Sequence, residues 1–284
     1  TRLTRIAKPD TCVITNIGTC HLENLGDRDG VLKAKTEIFQ SMQPSGHIVL
    51  NGDDDKLATV DGYHGVKPVF FGLDAKRDVY ADQIVSRGLK GVSCRIHMGE
   101  DAFDVLVPTP GIHMVYNALA AAAVGRIYGL TIEEIKRGIE SLETIRGRFK
   151  MIETENFLVV DDCYNANPMS MKASLDVLHD GEGRRVAILG DMGELGENEI
   201  SLHEEVGEHA AKCGIDVCIC VGELSSHIAE AARKADPDFE VHYEKDRESL
   251  LKKLGGYVHK GDTILVKASH FMKFEEVVDA LEKM

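Results

Sequence analysis

Residues 157–171 read FLVVDDCYNANPMSM. The four apolar residues Phe157–Val160 form a run of strand length, and Asp161-Asp162 end it. Tyr164-Asn165-Ala166-Asn167-Pro168 then leads into a helix expected over Ser170–His179, since Asn and Pro favour turns and helix starts over strand interiors. The same alternation repeats downstream. Strands are predicted at Arg185–Leu189, Val217–Val221, Glu240–Tyr243 and Thr263–Val266. Helices are predicted at Glu199–Lys212, Ser225–Lys234, Asp246–Leu254 and Lys273–Lys283. Strands regularly separated by helices imply an α/β unit with an open, mostly parallel sheet covered on both faces.

Upstream of Arg146-Gly147-Arg148 the texture is mixed. A strand at Cys12–Ile17, a helix at Asp29–Met42 and a strand at His47–Leu50 are followed by short alternating segments. These are Pro68–Phe71, Asp78–Val85, Val92–His97 and Phe103–Val107, read together as a small antiparallel layer. Pro108, Pro110 and Gly111 stop that layer, and an apolar helix over Met114–Tyr128 follows. A second helix at Ile132–Leu142 opens with Thr131 and Glu134 at capping-box spacing. The boundary between the two textures falls near Phe149, giving domains 1–149 and 150–284.

Composition narrows the function classes. The chain has 284 residues, a net charge of −14 and a hydrophobic fraction of 43%, as expected of a globular protein with two ordinary domains. That charge disfavours nucleic acid and anionic lipid as partners, so an anionic ligand requires local donors. The longest apolar run, around Ala118–Val124, is too short to cross a bilayer, and no signal peptide is evident. Seven cysteines, an odd number without paired C-x-x-C spacing, read as small buried hydrophobes in a reducing, cytoplasmic setting.

Ligands of open α/β sheets bind beyond the carboxyl ends of the strands. Those ends carry Asp161-Asp162, Gly190-Asp191-Met192-Gly193-Glu194, Gly222-Glu223 and Lys267-Ala268-Ser269-His270. In the first half, Lys35 falls within the stripe Val31, Ala34, Ile38, Phe39 and Met42, so it either snorkels to the surface or is buried for a purpose. A desolvated amine loses its proton readily and becomes reactive. His21 and Glu23 follow the first strand in a loop.

In order, these segments resemble the Mur ligase family, and within it the branch that adds a dipeptide. The matching stretches are TNIGTCHLENLG at 15–26, LKAKTEIF at 32–39, NGDDD at 51–55, PGIHMVYNALAAAAVG at 110–125 and GRFK at 147–150. They continue with VVDDCYNANPMSM at 159–171, LGDMGELGENE at 189–199 and VKASHFMKFEEVVDAL at 266–281. The resemblance implies part of the central ATPase domain over 1–149, with the phosphate loop missing, followed by a Rossmann-like C-terminal domain over 150–284. It implies an ATP-dependent, peptide-bond-forming ligase of peptidoglycan precursor synthesis, joining D-alanyl-D-alanine to a UDP-N-acetylmuramoyl-tripeptide through an acyl phosphate.

The resemblance also assigns roles. His21 matches a magnesium ligand. Lys35 matches the lysine that is carbamylated to help bind a second magnesium. Asn117 matches the adenine contact, with His113 heading its motif, and Arg148 matches an arginine that reaches the ATP phosphates. Asp162 matches the acid that grips the ribose, with Tyr164, Asn165 and Asn167 alongside. Asp191, Glu194, Lys267 and Ser269 are expected near the acceptor dipeptide. Catalytic roles fall to Lys35, His21 and Arg148, the cofactors are ATP and Mg2+, and the full-length protein is expected to be a monomer.

The pattern departs from the family in four places. No Gly-Lys dipeptide of a G-x-x-x-x-G-K-[ST] phosphate loop occurs, so the 284 residues alone are expected to be inactive. The glutamate that normally completes the metal site is missing. Met114 follows His113 where the family usually has Asn, and Ala268 and His270 stand in a Lys-Gly-Ser-Arg motif. Two alternatives stay open: a folylpolyglutamate synthase-like ligase, and a non-catalytic nucleotide- or partner-binding module.

Overall fold

The computed structural model describes residues 2–18 and 22–284, so His21 lies outside the described residues. The chain divides into two compact units, the first holding Leu25–Glu143 and the second Thr144–Met284. Arg146, Gly147 and Arg148 therefore belong with the second unit.

The elements of the first 143 residues are α1 (Arg2–Ala7), β1 (Thr11–Ile14), α2 (Leu22–Leu25), α3 (Arg28–Thr36), β2 (His47–Asn51), β3 (Pro68–Gly72), β4 (Val79–Ser86), β5 (Val92–Met98), β6 (Asp101–Val107), α4 (Ile112–Ile127) and α5 (Ile132–Glu140). Their strands make one six-stranded sheet in sequential order. β1 to β4 pair in parallel, and β4, β5 and β6 pair antiparallel. The antiparallel layer is thus a continuation of the parallel sheet, and Pro68–Gly72 belongs to the parallel part. Its pairing with β4 covers only Phe71–Gly72 opposite Val79–Tyr80, because β4 begins where β3 ends. α4 packs on this sheet through the buried residues Val115, Ala118, Leu119, Ala122 and Ala123. Its alanines allow close approach, and each large side chain buried beneath it contributes about 2 kcal/mol. The capping box forms: Thr131 accepts from the Glu134 N–H, and Glu134 accepts from the Thr131 N–H.

The second unit comprises β7 (Lys150–Glu153), β8 (Leu158–Asp161), α6 (Pro168–His179), β9 (Arg185–Gly190), α7 (Glu199–Lys212), β10 (Val217–Val221), α8 (Ser225–Ala235), β11 (Glu240–Glu244), α9 (Arg247–Tyr257), β12 (Thr263–Lys267) and α10 (Glu275–Leu281). The strand order is β11-β10-β9-β12-β8-β7, parallel throughout except for β7. β9, β10 and β12 are covered on both faces, which explains their unbroken apolar runs. β12, last in sequence, is inserted between the first two parallel strands. That insertion sets the carboxyl ends of β8, β12 and β9 side by side. No described helix is long and apolar enough to cross a membrane.

Candidate active site

At the carboxyl edge of the second sheet, Asp162 is the hub. Its Oδ2 accepts from Lys267 Nζ at 2.5 Å and from Ser174 Oγ at 2.8 Å, and its Oδ1 accepts from the Phe149 N–H at 3.2 Å. Lys267 is 2% exposed and also donates to the Asn165 carbonyl at 3.2 Å. A buried ammonium needs such partners, because desolvation without them costs several kcal/mol. The neighbouring acid plays a different part. Asp161 is fully buried, with Oδ2 accepting the Gly147 N–H at 2.8 Å and Oδ1 accepting from the Cys163 thiol at 3.0 Å. Burial pushes the Cys163 thiol far above its ordinary range, so it stays protonated.

The loop after β9 is stitched to the loop after β12. Ser269 gives its N–H to the Asp191 carbonyl at 3.1 Å, and its Oγ accepts the Gly193 N–H at 2.9 Å. Asp191 turns its Oδ1 to the first turn of α8, accepting from the Ser225 N–H at 2.7 Å and the Ser225 hydroxyl at 2.6 Å. Glu194, exposed, takes a left-handed conformation at φ 61° that costs a non-glycine residue energy and that the surrounding loop must enforce. Beneath the loop, fully buried His203 accepts the Met192 N–H at Nε2, 2.9 Å away, while Nδ1 lies 2.7 Å from the Glu199 carbonyl. Nδ1 therefore carries the proton in a neutral ring, and burial holds the pKa below the ordinary histidine value.

Arg148 Cζ lies 3.9 Å from the centroid of the exposed Tyr164 ring, and the His270 ring meets Tyr164 edge-on at 5.6 Å. Asn165 is exposed. Asn167 is a helix cap: its Oδ1 accepts the Ser170 N–H at 2.9 Å at the start of α6. The second unit thus brings together Arg148, Asp162, Tyr164, Asn165, Lys267 and Ser269, with Asp191 and Asn167 holding helix starts nearby.

In the first unit, Lys35 is exposed and donates to the Asn16 carbonyl at 2.8 Å. The helix expected to run to Met42 tightens into a 3-10 helix over Glu37–Ser41. The apolar stripe around Lys35 therefore does not continue at α-helical spacing beyond Thr36. A magnesium site needs several oxygen ligands. Among the described residues, no group of three or more His, Cys, Asp or Glu side chains is placed to hold a metal, and an ammonium offers a cation nothing. A magnesium ion would therefore need ligands beyond these side chains, with His21, outside the described residues, as a candidate.

Asn117 and Met114 line a groove of about 500 Å³ between α4 and α5, walled by Ala121, Ile135 and Leu142. The Asn117 amide donates to the Met114 sulfur at 3.4 Å, so the methionine substituted into the family motif holds the amide's orientation. His113 is half-buried in the first turn of α4.

Sequence reasoning missed Ser174, His203 and Ser225. Each lies inside or at the start of a helix, where its residue type carries no special spacing. Only the strand order reveals that these helices face the loops after β8 and β9.

A mostly parallel sheet with its polar cluster at the carboxyl edge, preceded by a mixed six-stranded sheet covered by the apolar helix α4, defines a two-domain α/β architecture with a candidate ligand site at the strand ends. Family models bear this out: the Mur ligase middle domain matches residues 1–125, and the Mur ligase glutamate ligase domain matches residues 147–270. The chain belongs to the Mur ligase family. It is 36% identical to the UDP-N-acetylmuramoyl-tripeptide–D-alanyl-D-alanine ligase of Bacillus subtilis, over 98% of this chain and 60% of that protein. A crystal structure of MurF from Acinetobacter baumannii superposes with a TM-score of 0.89 at 30% identity, covering 99% of this chain and 61% of that one. MurF ligase from Thermotoga maritima in complex with ADP gives a TM-score of 0.83 at 29% identity, covering 99% and 63%. The chain spans about 60% of the length of the curated relatives it matches.

Proposed function

We propose that the chain works within an ATP-dependent ligase that joins D-alanyl-D-alanine to a UDP-N-acetylmuramoyl-tripeptide, supplying a peptidoglycan precursor. The observation that carries this reading is the Asp162–Lys267 and Arg148–Tyr164 cluster at the carboxyl edge of the second sheet. It falls within the stretches that carry the family resemblance, in a chain 36% identical to a relative of that name. In the reaction the peptide carboxylate attacks the γ-phosphorus of ATP and ADP leaves. The dipeptide amine then attacks the carbonyl carbon of the acyl phosphate; the C–N bond forms, the acyl C–O bond breaks with its electron pair leaving on phosphate, and the amine proton passes to solvent.

Arg148 offers donors to the phosphoryl oxygens, where a planar fork suits an oxyanion. Asp162, with Tyr164 and Asn165, lines the nucleotide side, and Asn167 holds the loop's exit. Asn117 and His113 serve the adenine. Lys267 and Ser269 face the acceptor side with Glu194, while Asp191 acts through the loop it anchors. Bound magnesium would neutralise charge on the moving phosphoryl group. His21 and a carbamate on Lys35 are proposed as its ligands, on the family resemblance. A carbamate would replace a cation by an anionic oxygen pair. It predicts a carbamate carbonyl signal in 13C NMR under labelled bicarbonate, lost in Lys35→Ala; identical spectra would remove this part.

The test of the ligase reading is the product. The protein carrying its natural N-terminus is incubated with ATP, magnesium, the UDP-linked tripeptide and either D-alanyl-D-alanine or L-glutamate, and the products are weighed by mass spectrometry. A pentapeptide product made only with the dipeptide supports the reading. A glutamate adduct favours the folylpolyglutamate synthase-like alternative, and no adduct with either favours a binding module.

A further inference from the structure

The backbone on either side of Arg148 is pinned. Gly147, at φ 78°, gives its N–H to Asp161 and its carbonyl accepts the Tyr164 N–H at 2.9 Å. A Cβ at Gly147 would stand 3.3 Å from Tyr164 Cβ, tighter than most real contacts. Phe149, 7% exposed and left-handed at φ 55°, gives its N–H to Asp162. Two strained or glycine-dependent residues flanking one arginine, both tied to the loop after β8, mean that the site holds this arginine's Cα in place.

The side chain is then directed by a ring. The neighbouring Arg146 is matched with carboxylates, at 2.5 Å to Asp279 and 3.3 Å to Glu282. Arg148 instead lies over Tyr164. A carboxylate partner would occupy guanidinium N–H groups, whereas a ring face attracts the cation through its quadrupole and takes none of them. The His270 ring, packed edge-on against Tyr164 at an interplanar angle of 64°, supports the ring from another side.

We infer that Tyr164 is a positioning residue: its ring holds the Arg148 guanidinium in place while leaving the donor fork available to an anionic phosphoryl ligand. The identity of that ligand rests on the ligase reading, but the contact itself does not.

Two arms test this. In the 284-residue chain, the Arg148 side-chain protons are expected to show ring-current shifts in wild type and Tyr164→Phe that vanish in Tyr164→Leu. In the protein with its natural N-terminus, titrated ATP is expected to move the Arg148 Nε–H with an affinity about fivefold weaker in Tyr164→Leu than in wild type. Shifts indifferent to Tyr164→Leu, or ATP that binds that protein without moving the Arg148 Nε–H, would overturn the inference. In the protein with its natural N-terminus, Tyr164→Leu is expected to lower kcat/KM for ATP about fivefold, with Tyr164→Phe within about twofold of wild type. In an Arg148→Ala background, Tyr164→Leu should change nothing further. An equal loss in both backgrounds, or a Phe variant no better than Leu, would show a merely structural ring. Absence of any dipeptide-dependent turnover in wild type would count against the ligase reading alone, and the first arm would still decide the role of Tyr164.

Discussion

Lys267 is the residue whose chemistry is most tightly constrained. Its ammonium is shielded from water and balanced by Asp162, whose carboxylate also takes Ser174 Oγ and the Phe149 N–H. Removing one partner leaves the other charge buried, so Lys267→Met is expected to destabilise the chain by about 3 kcal/mol in denaturant unfolding. Adding Asp162→Asn should recover part of that loss; a simple sum of the two single effects would argue that the pair is not coupled. His203 gives a pH signature. Burial, the largest influence on it, holds its folded pKa below the ordinary 6.5. At higher pH the ring is neutral in both states and contributes nothing. As the pH falls below about 6.5, the unfolded chain takes up a proton that the folded ring refuses, so stability drops until the folded value is reached. The fall in Tm between about pH 7.5 and 5.5 should therefore be steeper in wild type than in His203→Gln, and parallel curves would contradict the buried neutral ring.

Among the elements, α8 shows how a functional loop and a scaffold are joined. Asp191 caps its first turn from a different strand, and Gly222, at φ 118°, makes room, since a Cβ there would stand 2.4 Å from Asp191 Oδ1. Gly222→Ala is expected to cost about 2 kcal/mol, from the strained φ and the displaced cap together, against about 1 kcal/mol for Asp191→Ala. Equal unfolding midpoints for Gly222→Ala and wild type would refute that coupling. The strands of the second unit were legible because a strand buried on both faces must be apolar throughout. β7 was not, since only Met151 and Ile152 of this edge strand are partly buried between exposed ends. α1 also escaped, a short helix without a buried stripe. The parallel pairing of β3 with β2 and β4 could not be read either, because a short apolar strand carries no mark of its neighbours' direction. The turn from α-helix to 3-10 helix after Thr36 has no residue-level signal in the apolar spacing. The acids and the lysine at the strand ends were visible as residues. Their grouping was not, since it depends on β12 inserting between β8 and β9.

At the scale of the whole molecule, two six-stranded sheets carry the Mur ligase middle and C-terminal domains, and each keeps its polar groups in loops over an apolar interior. Rigid sheets hold the backbone, and the strand-end loops carry the polar groups of the candidate site. With a net charge of −14, an anionic ligand requires local donors, and Arg148 is the exposed one in the cluster of the second unit. The most direct measurement is phosphate release by the protein with its natural N-terminus, given ATP, magnesium and the UDP-linked tripeptide, with and without D-alanyl-D-alanine. Release that rises sharply only when the dipeptide is added is the expected result. ATP binding without any dipeptide-dependent release would contradict the acceptor assignment and the ligase account built on it.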